Sequence, residues 1–182
     1  MKYKLIIILF CLTMCLHTAA QQQSKKVEAG IELDVLPYAT GGWFAAAWAG
    51  KYQWRMRVLT ASVNKPNFTT KTGFTNHHIN AYAVLADRFL KKGWKVWWLG
   101  GGIVLWNSSI QTDAKLQTAK FTNFLLNGSA GYNITLHKKI YLSPWAGLSM
   151  RVSGSTNVAV DNKLYTLPFF NPEASLKFGI WF

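Results

Sequence analysis

Apolar and polar residues alternate one for one along much of this chain, most strictly over residues 172–182. Ala174, Leu176, Phe178, Ile180 and Phe182 share one parity, and Glu173, Ser175, Lys177, Gly179 and Trp181 the other. A period of two places successive side chains on opposite faces of a strand. The apolar face runs to the final residue, where a soluble domain would usually carry a polar, frayed tail. This strand has to be paired along its length and covered by something apolar, and lipid meets that need.

The same period predicts seven earlier strands, at 27–36, 43–51, 54–63, 77–89, 94–106, 120–134 and 140–152. In the first, Val27, Ala29, Ile31, Leu33 and Val35 oppose Glu28, Gly30, Glu32 and Asp34. In the third, Arg55 and Arg57 oppose Trp54, Met56 and Val58. The sixth sets Asn123, Asn127, Ser129, Gly131 and Asn133 against Phe124, Leu126, Ala130, Tyr132 and Ile134. In the seventh, Tyr141, Ser143, Trp145, Gly147, Ser149 and Arg151 oppose Ile140, Leu142, Ala146, Leu148, Met150 and Val152. Residues 37–42 read as a turn or loop. Beyond it, short links at 52–53, 91–93 and 137–139 alternate with long polar loops at 64–76, 107–119 and 153–167. A helical period of 3.6 is hard to find, so the chain reads as all-β.

The first twenty residues change the picture by setting a compartment. Lys2 and Lys4 precede an apolar run from Leu5 to Leu16, and Thr18-Ala19-Ala20 offers small residues before Gln21-Gln22-Gln23. That is a secretory signal peptide at 1–20, leaving 21–182 as one mature domain. Cys15 is a weak lipoprotein site, because Met14 stands where a small residue is wanted. Both cysteines, Cys11 and Cys15, lie in this segment, so the mature chain has no disulfide, thiolate nucleophile or cysteine-based zinc site. No later run of about 18 apolar residues exists, which excludes a helical membrane protein.

The terminal strand resembles the closing strand of bacterial outer-membrane β-barrels, whose final aromatic is recognised by the barrel-assembly machinery. In size and strand count the chain is similar to the OmpA/OmpX-type eight-stranded barrels. The resemblance implies an eight-stranded antiparallel up-and-down transmembrane β-barrel in the cell outer membrane of a Gram-negative bacterium. It makes Leu176, Phe178, Ile180 and Phe182 the assembly signal, with the assembly machinery, outer-membrane lipid and lipopolysaccharide as partners and a larger membrane complex as a further one. Strands of about ten residues cross a bilayer when tilted. An even count puts both termini on the periplasmic side, and long loops outside with short turns inside match the observed alternation. Trp43, Trp48, Trp54, Trp94, Trp106, Tyr132 and Phe182 then fall at interfacial girdles.

Closure explains the charges. A closed sheet places the last strand beside the first. Glu173 and Lys177 then line the interior with Glu28, Glu32 and Asp34, and Arg55, Arg57 and Arg151 reach in from other strands. An eight-stranded barrel is just wide enough for side chains to fill it. These residues predict a paired ionic cluster in a plugged polar lumen, not an open channel.

Candidate chemistry is sparse. His77 and His78 are adjacent on one strand and face opposite sides, so they do not chelate one metal ion together. The chain also resembles, in size, the barrel enzymes that edit lipid A by deacylation or palmitoyl transfer, which use His with Ser. None of its four histidines is followed two residues later by serine, leaving His77 or His78 with Ser108 as the catalytic candidates. Gly100-Gly101-Gly102 has no Lys-Ser/Thr after it and opens no helix, so it marks strand curvature or close approach of bulky neighbours, not a phosphate loop. Asn-x-Ser/Thr sequons such as those at Asn67, Asn107 and Asn133 are read as chance in a chain with a bacterial-type ending. The net charge of +13, or +11 without Lys2 and Lys4, is scattered over turns and loops with no nucleic-acid reader motif. Lysines at the barrel ends suit lipid phosphates instead.

The leading reading is an outer-membrane barrel that acts through its extracellular loops, without cofactor or metal. The alternatives are a lipid A-modifying barrel enzyme and a soluble periplasmic barrel of lipocalin type, whose outer face would be polar and lumen apolar.

Overall fold

A computed structural model describes residues 26–182. The signal-peptide segment lies outside the described residues. Eight strands close into an antiparallel barrel: β1 (Glu28–Asp34), β2 (Trp43–Lys51), β3 (Trp54–Asn64), β4 (Phe74–Phe89), β5 (Val96–Thr112), β6 (Thr118–His137), β7 (Ile140–Gly154) and, last in the chain, β10 (Phe170–Trp181). Each barrel strand pairs with its neighbour in sequence, and β10 closes on β1 with Lys177 opposite Asp34 and Trp181 opposite Gly30. The two remaining strands, β8 (Asn157–Val160) and β9 (Lys163–Thr166), form a separate hairpin.

Alternation decides which side each residue faces. Ile31, Leu33, Met56, Val58, Leu126, Leu176 and Phe178 stand exposed on the outside, while Glu32, Asp34, Arg55, Arg57, Asn127 and Lys177 are buried inside. The outer face is therefore apolar, opposite to what a soluble lipocalin-type barrel requires. Among the described residues no helix is long and apolar enough to cross a membrane.

The wall is uneven. β1 has 7 residues and β2 has 9, whereas β5 has 17 and β6 has 20. The first strand stops two residues short of the expected Leu36, because the Asp34 side chain accepts the Leu36 N–H and caps a short helical turn, α1 (Val35–Ala39). The predicted loop at 107–119 shrinks to a few residues. Ile110 and Phe121, inward on β5 and β6, are buried with Val160 and Tyr165 of the β8–β9 hairpin, and that apolar contact extends the ladder. The hairpin itself lies within the predicted loop at 153–167. Its strands are four residues each, too short for periodicity to register.

Trp94 is not in strand five but in the preceding turn, with φ +53°. Trp48, Trp94 and Trp106 also leave the predicted girdles. Trp48 and Trp94 are buried in the interior, and Trp106 packs there against buried core residues. Parity assigns Trp48 to the same face as Phe44 and Ala46, and glycines make the room. An added Cβ on Gly131 or Gly179 would run into the ring of Trp98 or Tyr141.

Candidate functional site

The interior is built in layers. At the barrel end that carries the short turns, opposite the outer end with its long loops, Trp48, Phe89, Trp94, Trp98 and Tyr141 pack as an aromatic floor. Glu28 closes this end by accepting the Trp94 indole N–H. Trp98 donates to Ser143 Oγ at 3.0 Å, and Trp48 donates to Tyr141 Oη at 3.0 Å. Each indole N–H is thus paired despite burial, as low-dielectric surroundings demand.

Above the floor lies a charged layer. Arg55 Nη1 is 2.7 Å from Glu32 Oε1, and its Nε donates to Asp87 Oδ2 at 2.9 Å. Arg57 Nη2 donates to Asp87 Oδ1 at 3.0 Å, and its Nη1 reaches Glu32 Oε2 at 3.4 Å. Two arginines and two carboxylates therefore form a closed square from β1, β3 and β4, with all four side chains at most 1% exposed. Tyr141 of β7, two strands round the wall from β1, donates to Glu32 Oε1 at 2.7 Å. The cations also share an aromatic partner. Arg57 and Lys177 lie 5.3 and 4.9 Å from the Trp98 ring centre, and Lys177 is 4.2 Å from that of Trp145.

The remaining interior carboxylates are held by neutral donors. Asp34 accepts from Trp145 Nε1 at 2.8 Å and from the Ser175 hydroxyl. Glu173 accepts from Ser149 Oγ, which in turn accepts from Asn127. Arg151 stands apart from the ionic layer: its guanidinium donates to the Ser155 carbonyl at 2.9 Å, near the outer end. It lies on the inward parity of β7 but nearer the long-loop end than the ionic layer.

Asp87 is the member that strand-by-strand reading missed. It shares the inward parity of Ala81, Ala83 and Leu85, and an acid on an apolar face is the signal that would have found it. Its pairing with Arg55 depends on the β3–β4 register, which the long intervening loop conceals.

The outer half of the lumen departs from a polar, side-chain-filled interior. A cavity of about 660 Å³ lies there, lined by Phe44, Leu59, Ala61, Ile79, Ala81 and Val104 among others, with Arg57 and Lys177 at its base. The physical cause is composition: Ala61 on β3 and Ala81 and Ala83 on β4 are inward and leave space, and their neighbours are apolar. Lys65 borders the cavity, and burial pushes its ammonium pKa below the usual value, opposed by the Glu173 carboxylate.

His77 and Ser108 come together farther out, lining a small space with Phe121 and Tyr165. Both ring nitrogens of His77 lack hydrogen-bond partners, and its ring packs 6.0 Å from Phe121 and 5.8 Å from Tyr165, centre to centre. No hydrogen bond joins it to Ser108. His78 points elsewhere, with Nδ1 2.7 Å from Asn64 Oδ1 and Nε2 3.4 Å from Ser62 Oγ. Among the described residues, no group of three or more His, Cys, Asp or Glu is placed to hold a metal ion.

At the chain end, Leu176, Phe178 and Phe182 are exposed on the outer face and Ile180 is half-buried there, while Gly179 is buried inside.

No family model and no curated protein matches the chain in sequence. A solved structure does match in shape: Neisserial surface protein A, at 10% sequence identity, covering 85% of this chain and 94% of that one, with a TM-score of 0.51. An identity this low speaks to architecture alone. The chain has the fold of an eight-stranded outer-membrane β-barrel.

Proposed function

We propose that the protein is an integral outer-membrane barrel whose lumen is closed to ions and whose role is carried by the loops and hairpin at its outer end. The observation behind this reading is the square of Glu32, Arg55, Arg57 and Asp87 spanning the interior above the aromatic floor. Fixed, mutually paired charges leave no file of water for a permeating ion. A conducting barrel needs a wider, water-filled interior.

Lipid and lipopolysaccharide are the partners that the apolar outer face and the scattered basic loops suit. Leu176, Phe178, Ile180 and Phe182 present an apolar edge that the barrel-assembly machinery would read. The reading is tested by reconstituting the barrel in planar bilayers. No steady conductance is expected from the native protein, whereas reproducible ohmic channels would overturn the proposal.

A further inference from the structure

Strands β3, β4 and β5 are apolar on both faces where they cross the outer half of the barrel. Val58, Tyr82, Val84 and Ile103 face outward, while Leu59, Ala83, Leu85 and Val104 face inward. Lipid accounts for the outward set. A strand apolar on both sides is normally covered on both, and the inner side here faces the 660 Å³ cavity. That volume falls within the range of about 300–1,000 Å³ typical of small-molecule sites. Ala61, Ala81 and Ala83 line it and hold the space open, since none of them reaches toward the axis.

The wall beside this cavity is incomplete. β1 ends at Asp34, so β2 has no β1 partner over Trp43–Ala45 and β10 has none over Phe170–Leu176. The short turn α1 lies across the interval, with Leu36 N donating to Ser175 Oγ at 3.3 Å. Pro172 and Ala174 of β10, exposed and of outward parity, nevertheless line the cavity together with Leu36 and Pro37 of α1. The cavity thus reaches the outer surface of the barrel through the wall, on the side where Phe170, Leu176 and Phe178 stand exposed. Pro172 brings no N–H to this unpaired edge.

The cavity border also carries a charge. Lys65 lines it and forms no salt bridge among the described residues. The opposite end is closed by Arg57 and Lys177.

We infer that this cavity binds one long acyl chain bearing an anionic head, a free fatty acid, which passes sideways from the outer leaflet through the gap between α1 and β10. The tail lies against Ile79, Ala81 and Val104, and the carboxylate sits near Lys65. This goes beyond the closed-lumen reading and does not depend on whether the barrel conducts.

The test places the full mature barrel in lipid nanodiscs with palmitic acid carrying a photoreactive diazirine on its chain, followed by irradiation and peptide mapping. Adducts are expected on inward Ile79, Ala81 and Val104 as well as on lipid-facing Tyr82 and Ile103. Ala81→Trp, which fills the cavity, should remove most inward adducts and keep the outward ones. Ala61→Leu, a smaller filling change on the neighbouring strand, should lower inward adducts in the same way if the Trp variant does not fold. Lys65→Glu should weaken inward labelling by the fatty acid but not by a phosphatidylcholine carrying the same photoreactive chain. Adducts confined to outward residues would overturn the proposal. Stronger interior labelling by the phosphatidylcholine than by the fatty acid would overturn the fatty-acid assignment.

Discussion

Arg55 and Asp87 are cross-strand partners in the β3–β4 ladder, and their side chains meet inside the barrel with Nε 2.9 Å from Oδ2. The pair forms one side of a square whose opposite side is Glu32 and Arg57, so that removing one member leaves two buried charges each with one counterion fewer.

Arg57→Met should therefore lower the heat-unfolding temperature of the barrel in detergent. Breaking one side of a buried ion pair costs about 3–5 kcal/mol, and Asp87 would lose its contact to Oδ1. Circular dichroism melts measure this directly, and an unchanged melting temperature would remove the ionic layer from the account of stability.

Glycines under interior rings give a matched pair of substitutions. Gly131→Ala places a methyl group against Trp98, whereas the Cβ of Gly128→Ala meets nothing within 4 Å. Overpacking costs about 1–3 kcal/mol, so the first variant should unfold at lower temperature and the second should behave like the native barrel. Equal melting of the two would show that Trp98 is free to move aside.

The lipid-facing assignment has its own test. Val58→Arg should destabilise the barrel by about 2–4 kcal/mol if the residue lies near the bilayer midplane. Denaturant titration in liposomes reads that difference. A neutral result would mean that Val58, 54% exposed in the isolated barrel, is not covered by hydrocarbon.

The outer hairpin is held by Tyr165, which packs at 4.9 Å from Phe74, ring centre to ring centre. Tyr165→Ala removes a buried aromatic, a change of about 3–5 kcal/mol where the site does not collapse. The barrel should stay folded while trypsin gains access to Lys163, which in the native protein leans on the Gly73 carbonyl at 3.4 Å. Mass spectrometry of a short digest would show the cut. Protection equal to the native protein would indicate that other contacts seat the hairpin.

Alternation alone determined a great deal here. The number of barrel strands, the outward set from Ile31 to Phe178 and the inward placing of Glu32, Arg55, Arg57 and Lys177 all follow from parity, because a strand turns every second residue to the same side. The same rule, applied to all residues of a strand and not only to the polar ones, also marks Leu59, Ala61, Ile79, Ala81 and Leu125 as inward and apolar.

Tertiary structure decided what parity leaves open: height along the barrel axis and partners across the lumen. Register through long loops sets Asp87 opposite Arg55, and it lifts Arg151 away from the ionic layer to the Ser155 carbonyl. A single side-chain acceptor, Asp34, ends β1 early and leaves the wall low beside β10. The empty outer half arises because small inward side chains of β3 and β4 are brought side by side, Ala61 opposite Ala81 with Ala83 one step below. A local pattern carries no information on which residues share a level, since that depends on how far each strand is shifted against the next.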